Sequence, residues 1–462
     1  MAYFLITTKL SRAMIGITLV AALAGLLLGY NVAVISGALL FIKHSFIVSL
    51  AEEGAIVGAV PFGAVVAAAI GGKFNDIFGR RSSLLFTAIF FIIGTLGCVF
   101  SQDVVSLILA RMVIGIAVGI GSFSAPLYIA ELSAKKYRGG LVTLNQLAIV
   151  VGILLAYIVD LIFTKSGAWR YMFVCGLLPA LLLFILVWLL PKSPRWLMLH
   201  GETEKVKGIL LLLHGYDEAY KEFKELQQVI YLEKTRVKQT LNYYFIKVLW
   251  LGILVSVLTQ AVGINAIIYY SPKIFNLMGF THIVGAMLAT VGIGVINVIC
   301  TVAALRLLDS LGRRRLLLIG IAGIIISLAL ITLGLAGNLQ SHKVLVWLMF
   351  SAIILFVASQ AISTGSACWL IPTEIFPSKM RGLGVGISVA FNWATNFVGA
   401  FFFPLLLVHW GGVISFIIFL IIAIMAWFYF YKFLPETKGI TLENIEKNLY
   451  ANKSIRHLGD NG

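Results

Sequence analysis

Charge is scarce in this chain: Asp, Glu, Lys and Arg make up only 12% of its 462 residues. Acid is scarcer than base, with 19 carboxylates against 35 Lys and Arg, which leaves a formal net charge of +16. Soluble domains keep roughly a quarter of their residues charged. So low a share, beside 60% hydrophobic residues and a mean hydropathy of +1.01, excludes that class. Cysteine is limited to Cys98, Cys175, Cys300 and Cys368, all inside apolar stretches where a thiol acts as a small apolar side chain. No disulfide framework follows. The seven histidines fall in loops, at span ends or in the tail, with no two at metal-ligand spacing, so no metal centre is expected.

What the chain has in abundance is apolar runs of helix-spanning length. Twelve are counted, at about 12–40, 53–71, 83–101, 104–130, 141–163, 170–190, 247–270, 283–305, 315–337, 344–371, 382–408 and 411–433. About 20 residues at about 1.5 Å each cross a hydrocarbon core of roughly 30 Å. Continuous Leu, Ile, Val and Ala over such lengths exclude the alternating strands of an outer-membrane barrel. The expected fold class is therefore an all-α membrane protein of twelve spans. Lys9 and Arg12 precede a first run too long for a signal sequence and without a small-residue cleavage site, so it is expected to stay in the mature chain.

With the amino terminus inside, 29 of the 35 Lys and Arg fall on the cytoplasmic side, five fall outside, and Arg111 lies within a span. The positive-inside rule accounts for the basicity, and nucleic acid is not needed as a partner. Both termini are expected in the cytoplasm.

The chain also repeats itself. "DIFGRR" at 76–81 returns as "DSLGRR" at 309–314, 233 residues on. Glu131 precedes Arg138 by seven residues, as Glu374 precedes Arg381, at an offset of 243. "PKSPRWL" at 191 and "PETKGITL" at 435 close the two copies at an offset of 244. Three ordered matches at nearly one spacing predict two six-helix halves in parallel repeat, residues 1–191 and 247–434. A cytoplasmic helical linker, 192–246, joins them, and a tail follows, 435–462. The linker is amphipathic and holds no catalytic triad, phosphate-binding loop or metal box, so neither an enzyme nor a cofactor is expected. Asp76, Arg80, Arg81, Glu131 and Arg138, with their counterparts Asp309, Arg313, Arg314, Glu374 and Arg381, are expected to form a cytoplasmic gate. Its charge-assisted contacts would hold the halves together on the inside.

The ordered set "GYNVAVISG", "GRR" twice, "ARMVIGIAVGIGSFSAPLYIAEL", "RGGLVTLNQLAIVVGILLAY", "PKSPRWL", "QAVGINAIIYYSP", "CWLIPTEIFPSKMRG", "NWATNF" and "PETKG" resembles the sugar porter family of the major facilitator superfamily, from about residue 16 to 447. The resemblance implies a carrier of hexoses, pentoses or polyols working by alternating access, either facilitative or proton-coupled. It also implies a sugar site at Gln146, Gln260, Asn265, Asn297, Trp369 and Asn392, with Trp393 supporting it from behind. Tyr269 and Tyr270 would close over the substrate from outside, on a span bent at Gly263. Uncharged amides beside an aromatic face suit a ring of hydroxyls with apolar faces. Three residues depart from the family pattern. Thr259 replaces one Gln of a pair, Ser366 stands where a Pro is usual and is expected to stiffen span ten, and Lys192 replaces the Glu of "PESPR".

In proton-coupled members the position of Asn31 is an Asp paired with an Arg at the position of Arg111. Counting at about 1.5 Å per residue, Asn31 and Arg111 lie at similar depth, about 13 and about 10 Å below the outer ends of their spans. Asn does not titrate, so a facilitative uniport is expected. Proton symport is the alternative, with Asp160 as the next carboxylate available, although its place one turn from the outer end of span five predicts that it is wet. A non-transporting sugar sensor is a further alternative, but the tail after "PETKG" is only 23 residues and holds no recognisable signalling module. The expected partners are a sugar and the lipid bilayer, with a monomer as the working unit. Short outer loops without a glycosylation sequon point to a bacterial inner membrane.

Overall fold

The computed structural model describes residues 12–134, 137–214, 216–235, 243–337, 343–377, 380–438, 440, 442–451 and 453–458. Among the described residues every regular element is a helix. Eleven helical stretches are long and apolar enough to cross a membrane, and the shorter apolar helix Val346–Ile362 supplies the twelfth. Span one comprises Arg12–Ala33 and Ile35–Ser45. Spans two to five are Leu50–Phe78, Arg80–Phe100, Val104–Leu132 and Arg138–Phe163, and span six comprises Trp169–Val174 and Leu177–Val187. Span seven comprises Tyr243–Ala261 and Ile264–Leu277, and spans eight and nine are Ile283–Leu311 and Arg313–Ala336. Span ten comprises Lys343–Ile362 and Thr364–Ile375, and Arg381–His409 and Gly411–Phe433 complete the twelve. Three linker helices, Pro194–Leu199, Thr203–His214 and Tyr216–Thr235, lie between the two sets of six.

Several spans outrun their apolar cores. Span two was expected over 53–71 but forms 29 residues of helix, about 43 Å at about 1.5 Å per residue. Span seven likewise runs on from the expected 270 to Leu277. Charged and polar ends stop an apolar count but not a helix. Ser49 caps span two with Glu52 in a reciprocal capping box, and Asp103 does the same for span four with Ser106.

The repeated "GRR" motifs have a backbone reason. Gly79 and Gly312 adopt φ 81° and 87°, a region closed to most side chains, and each begins the next span after a one-residue turn. This end of the bundle, which carries both motifs and the linker helices, is called here the basic end, and the opposite one the far end.

Glycine also sets how closely the spans approach. Gly152 in span five lies against the Leu26 carbonyl of span one, and Gly29 against the Ile149 carbonyl, so the two backbones touch. Across the halves, Gly54 of span two meets the Phe401 carbonyl of span eleven near the far end. Small residues permit such contacts where lipid supplies no hydrophobic drive for association.

Spans one, seven and ten are interrupted within the bundle, at Val34, at Val262–Gly263 and at Ser363. Broken backbone at membrane depth is tolerated where protein rather than lipid surrounds it. Span ten is therefore not the stiff rod expected from Ser366, because it breaks three residues earlier.

Gly263 takes φ 99°, and a Cβ there would lie 2.8 Å from Phe419. Gly263→Ala is accordingly expected to cost at least about 1 kcal/mol from backbone strain and overlap together. A lowered midpoint in thermal unfolding of the purified protein checks this, and an unchanged midpoint refutes it.

Candidate functional site

The amides expected to form the site lie on spans five, seven, eight and eleven. Span five packs on span eight, and span seven on span eleven. Asn265 Nδ2 donates to Gln260 Oε1 at 2.5 Å, bridging the Gly263 break. Asn392 is buried and donates to the Ser256 carbonyl of span seven at 3.2 Å, and its own carbonyl has no hydrogen-bond partner among the described residues. Gln146 and Asn297 are half-buried and make no side-chain hydrogen bond among the described residues. Amides left open in this way retain donors and acceptors for a polyhydroxylated ligand. Thr259 does not substitute for the missing glutamine, because it is fully buried and its hydroxyl donates back to the Val255 carbonyl at 2.8 Å. Trp393 is buried, and its indole N–H has no partner among the described residues. The side chain of Trp369 lies outside the described ones, as do those of Ser366, Arg138 and Asp309.

Tyr269 and Tyr270 are buried at the kink of span seven, where Tyr270 leaves helical geometry at φ −119°, ψ 19°, two residues before Pro272. Tyr269 donates to Asn396 Oδ1 at 3.1 Å and Tyr270 to the Ala400 carbonyl at 2.8 Å, both on span eleven. Tyr157 of span five donates to the Ile268 carbonyl at 3.0 Å, a contact between the halves. Asn396 escaped the sequence reading, since an amide four residues after Asn392 is as readily explained by helix packing.

Asn31 is buried and donates to the Leu27 carbonyl of its own helix at 2.9 Å. Arg111 is fully buried, donates from Nε to the Ile56 carbonyl at 2.6 Å and faces the Phe173 ring at 5.9 Å. Its two terminal nitrogens have no partner among the described residues, and Asn31 and Arg111 do not hydrogen-bond to each other. Asp160 overturns the expectation that it is wet: it has no exposed surface. Its Oδ2 accepts from the Gly37 N–H at 3.0 Å and the Ser36 hydroxyl at 3.3 Å, and its Oδ1 is unpartnered. Gly37 causes the burial, since a Cβ there would lie 2.5 Å from the Asp160 carboxyl carbon.

At the basic end the expected charges do pair, but within each half. Arg80 Nε lies 3.0 Å from Glu131, Arg80 also reaches the exposed Asp76 at 3.2 Å, and Ser193 donates to Glu131. In the other half Arg313 pairs with Glu374 at 3.1 Å, and Thr437 donates to Glu374 at 2.5 Å. Arg81 caps the Trp188 carbonyl at 2.8 Å as Arg314 caps that of Tyr431 at 2.7 Å. Arg381 likewise bonds within its own half, to the Phe376 carbonyl at 3.3 Å. Among the described residues none of these ion pairs bridges the halves, so the gate expected from sequence is not formed in this state. The physical reason is spacing: each motif's arginine and glutamate flank adjoining helices of the same half, so the nearest opposite charge is already internal.

The departure at Lys192 is visible in the same comparison. Glu436 accepts the backbone N–H groups of Arg313 and Arg314 at 3.0 and 3.2 Å, capping span nine with negative charge. Lys192 occupies the matching place below span three and instead sits over Trp196, 4.9 Å from the ring centre.

A family model described as "Sugar (and other) transporter" matches residues 17–449. The chain belongs to the sugar porter family of the major facilitator superfamily. This porter is 38% identical over 434 residues to the probable metabolite transport protein CsbC of Bacillus subtilis, covering 93% of each chain. It is 36% identical to the arabinose-proton symporter of the same species, covering 93% of this chain and 94% of the relative. It matches a partially occluded inward open conformation of the xylose transporter XylE from E. coli at TM-score 0.82 and 32% identity, over 93% of this chain and 100% of that one. The porter is thus a multi-pass sugar transporter and not an enzyme.

An anion at a helix start is worth about 0.5–2 kcal/mol. Lys192→Glu is expected to restore that cap below span three and raise the thermal unfolding midpoint of the purified porter. An unchanged or lowered midpoint would show that Lys192 and Trp196 already satisfy this turn.

Proposed function

We propose that this porter is a facilitative uniporter carrying a monosaccharide or a polyol through a bacterial plasma membrane as a monomer, by alternating access, with its basic end in the cytoplasm. The observation that carries the reading is Asn31, a buried, non-titrating amide tied to its own helix, together with a buried Arg111 that no carboxylate pairs among the described residues. An Asp at that position could gain and lose a proton as the carrier turned over, and an Asn cannot. The orientation rests on the basic loops, and the substrate class on the open amides together with what the relatives are named for. An inward-facing state is read from the contacts between the halves that involve charge or a tyrosine hydroxyl, which among the described residues lie towards the far end.

The magnitude of what is forgone is definite. One proton moving through 100 mV is worth about 2.3 kcal/mol, enough for roughly 50-fold accumulation. Uptake into proteoliposomes with and without an imposed pH gradient and potential is the test. Equilibration to equal concentrations under both conditions is expected, and accumulation abolished by a protonophore would overturn uniport. Asn31→Asp is expected to introduce a pH dependence that the wild type lacks.

A second reading, proton symport through Asp160, is favoured by one observation: that carboxylate is buried among neutral groups with one oxygen unpartnered. Asp160→Asn separates the two readings, because only symport makes accumulation depend on it. Counterflow of labelled sugar in vesicles containing only the porter distinguishes carriage from sensing.

The site itself is tested by truncating its amides. Removing a partner of a buried hydrogen bond costs about 1–3 kcal/mol, so Gln146→Ala and Asn392→Ala should each weaken half-saturation by about fivefold or more. Competition uptake with pentoses, hexoses and inositols reads both the loss and the substrate.

A further inference from the structure

The far end holds a charge cluster that no part of the transport reading uses. Glu53, in the first turn of span two, has a side chain only 1% exposed. Each of its carboxylate oxygens meets a different ammonium: Oε2 lies 2.6 Å from Lys43 Nζ and Oε1 lies 2.8 Å from Lys273 Nζ. The two lysines belong to different halves. Lys43 stands at the end of span one, next to span two in the chain, whereas Lys273 follows Pro272 on the kinked segment of span seven. They are 39% and 27% exposed, so each can reach water while the carboxylate cannot.

The surroundings make the Lys273 contact the one that must break. Gly54, beside Glu53, packs on the Phe401 carbonyl of span eleven, and the Tyr270 ring lies 5.2 Å from that of Phe403 on the same span. Opening the far end separates span two from spans seven and eleven and takes Lys273 from Glu53. A buried carboxylate stripped of its only cation would cost several kcal/mol. Lys43 removes that obstacle, because it stays in the same half as Glu53.

We propose that Glu53 is the catch of a far-end latch, in which Lys273 is the releasable partner that holds the two halves closed and Lys43 the resident partner that makes release affordable. The latch rests on the alternating-access reading. Its consequence is directional: the two lysines bind one carboxylate but act oppositely on the conformational equilibrium. Loss of Lys273 removes attraction in the closed state only and favours far-end opening. Loss of Lys43 leaves Glu53 dependent on Lys273 and favours closure.

Full-length porter with its four cysteines replaced by serine, carrying spin labels at Ile47→Cys and His282→Cys, reports the far-end separation by pulsed dipolar spectroscopy in lipid nanodiscs. Both label sites are exposed, on the loops after spans one and seven. Lys273→Met is expected to raise the long-distance population by about fivefold, the scale of one partly buried ion pair. Lys43→Met is expected to lower that population and to slow sugar counterflow, and Glu53→Gln to follow Lys273→Met. A merely structural cluster predicts lower melting midpoints with no opposition between the lysines. The latch is overturned if Lys273→Met leaves the distances unchanged, or if both lysine variants shift them the same way. A single unchanging distance in the wild type and all variants, with and without sugar, would overturn alternating access and the latch together. Movement in the wild type without lysine opposition would overturn the latch alone.

Discussion

Inside a bilayer the protein must satisfy its own polar atoms, and this porter's organisation follows from how few it has to satisfy and where it puts them. Backbone groups are settled by helix almost everywhere. Interruptions at Val34, Gly263 and Ser363 break spans one, seven and ten, and another at 175–176 breaks span six. Side-chain amides cluster beside those breaks: Asn31 precedes one, and Gln260 and Asn265 straddle another. A break and an open amide are two forms of the same resource, an unsatisfied group held ready for something that comes and goes.

Charge obeys the same constraint differently. At the basic end each half closes its own account, Arg80 with Glu131 and Arg313 with Glu374, so either half can move as a body without exposing a lone ion. At the far end the charges join the halves through Glu53 and Lys273, alongside the bond from Tyr157 to Ile268. Inside the spans, Arg111 keeps two nitrogens and Asp160 one oxygen without partners among the described residues. The interior charge therefore divides into ions settled inside a half, ions settled between halves, and two that the protein leaves open.

Much of this was legible from residues alone. The repeat predicted two matching halves, and Gly79 and Gly312 take nearly equal φ at corresponding places in them. The "QAVGINAIIYYSP" stretch predicted a bent span, and Gly263 with Pro272 bends it. Lys192 predicted a missing acid contact, and the cap that Glu436 supplies in the other half shows what is missing. What escaped notice depends on partners distant in sequence. Asp160 was read as wet because depth was counted along span five alone, whereas Gly37, 123 residues earlier, brings span one over it. Glu53 and Lys273 are 220 residues apart, and no local pattern joins them. Nor does local sequence show which opposite charges the "GRR" arginines meet once helices pack, Glu131 for Arg80 and Glu374 for Arg313.

The bond from Tyr157 reaches a main-chain carbonyl and not the side chain of Ile268. A peptide oxygen is present whatever residue carries it, so this clasp tolerates substitution at 268 among residues of similar shape but demands a phenol at 157. Sequence drift on the kinked segment can thus retune its flexibility or its contact with cargo while the grip between the two bodies stays intact.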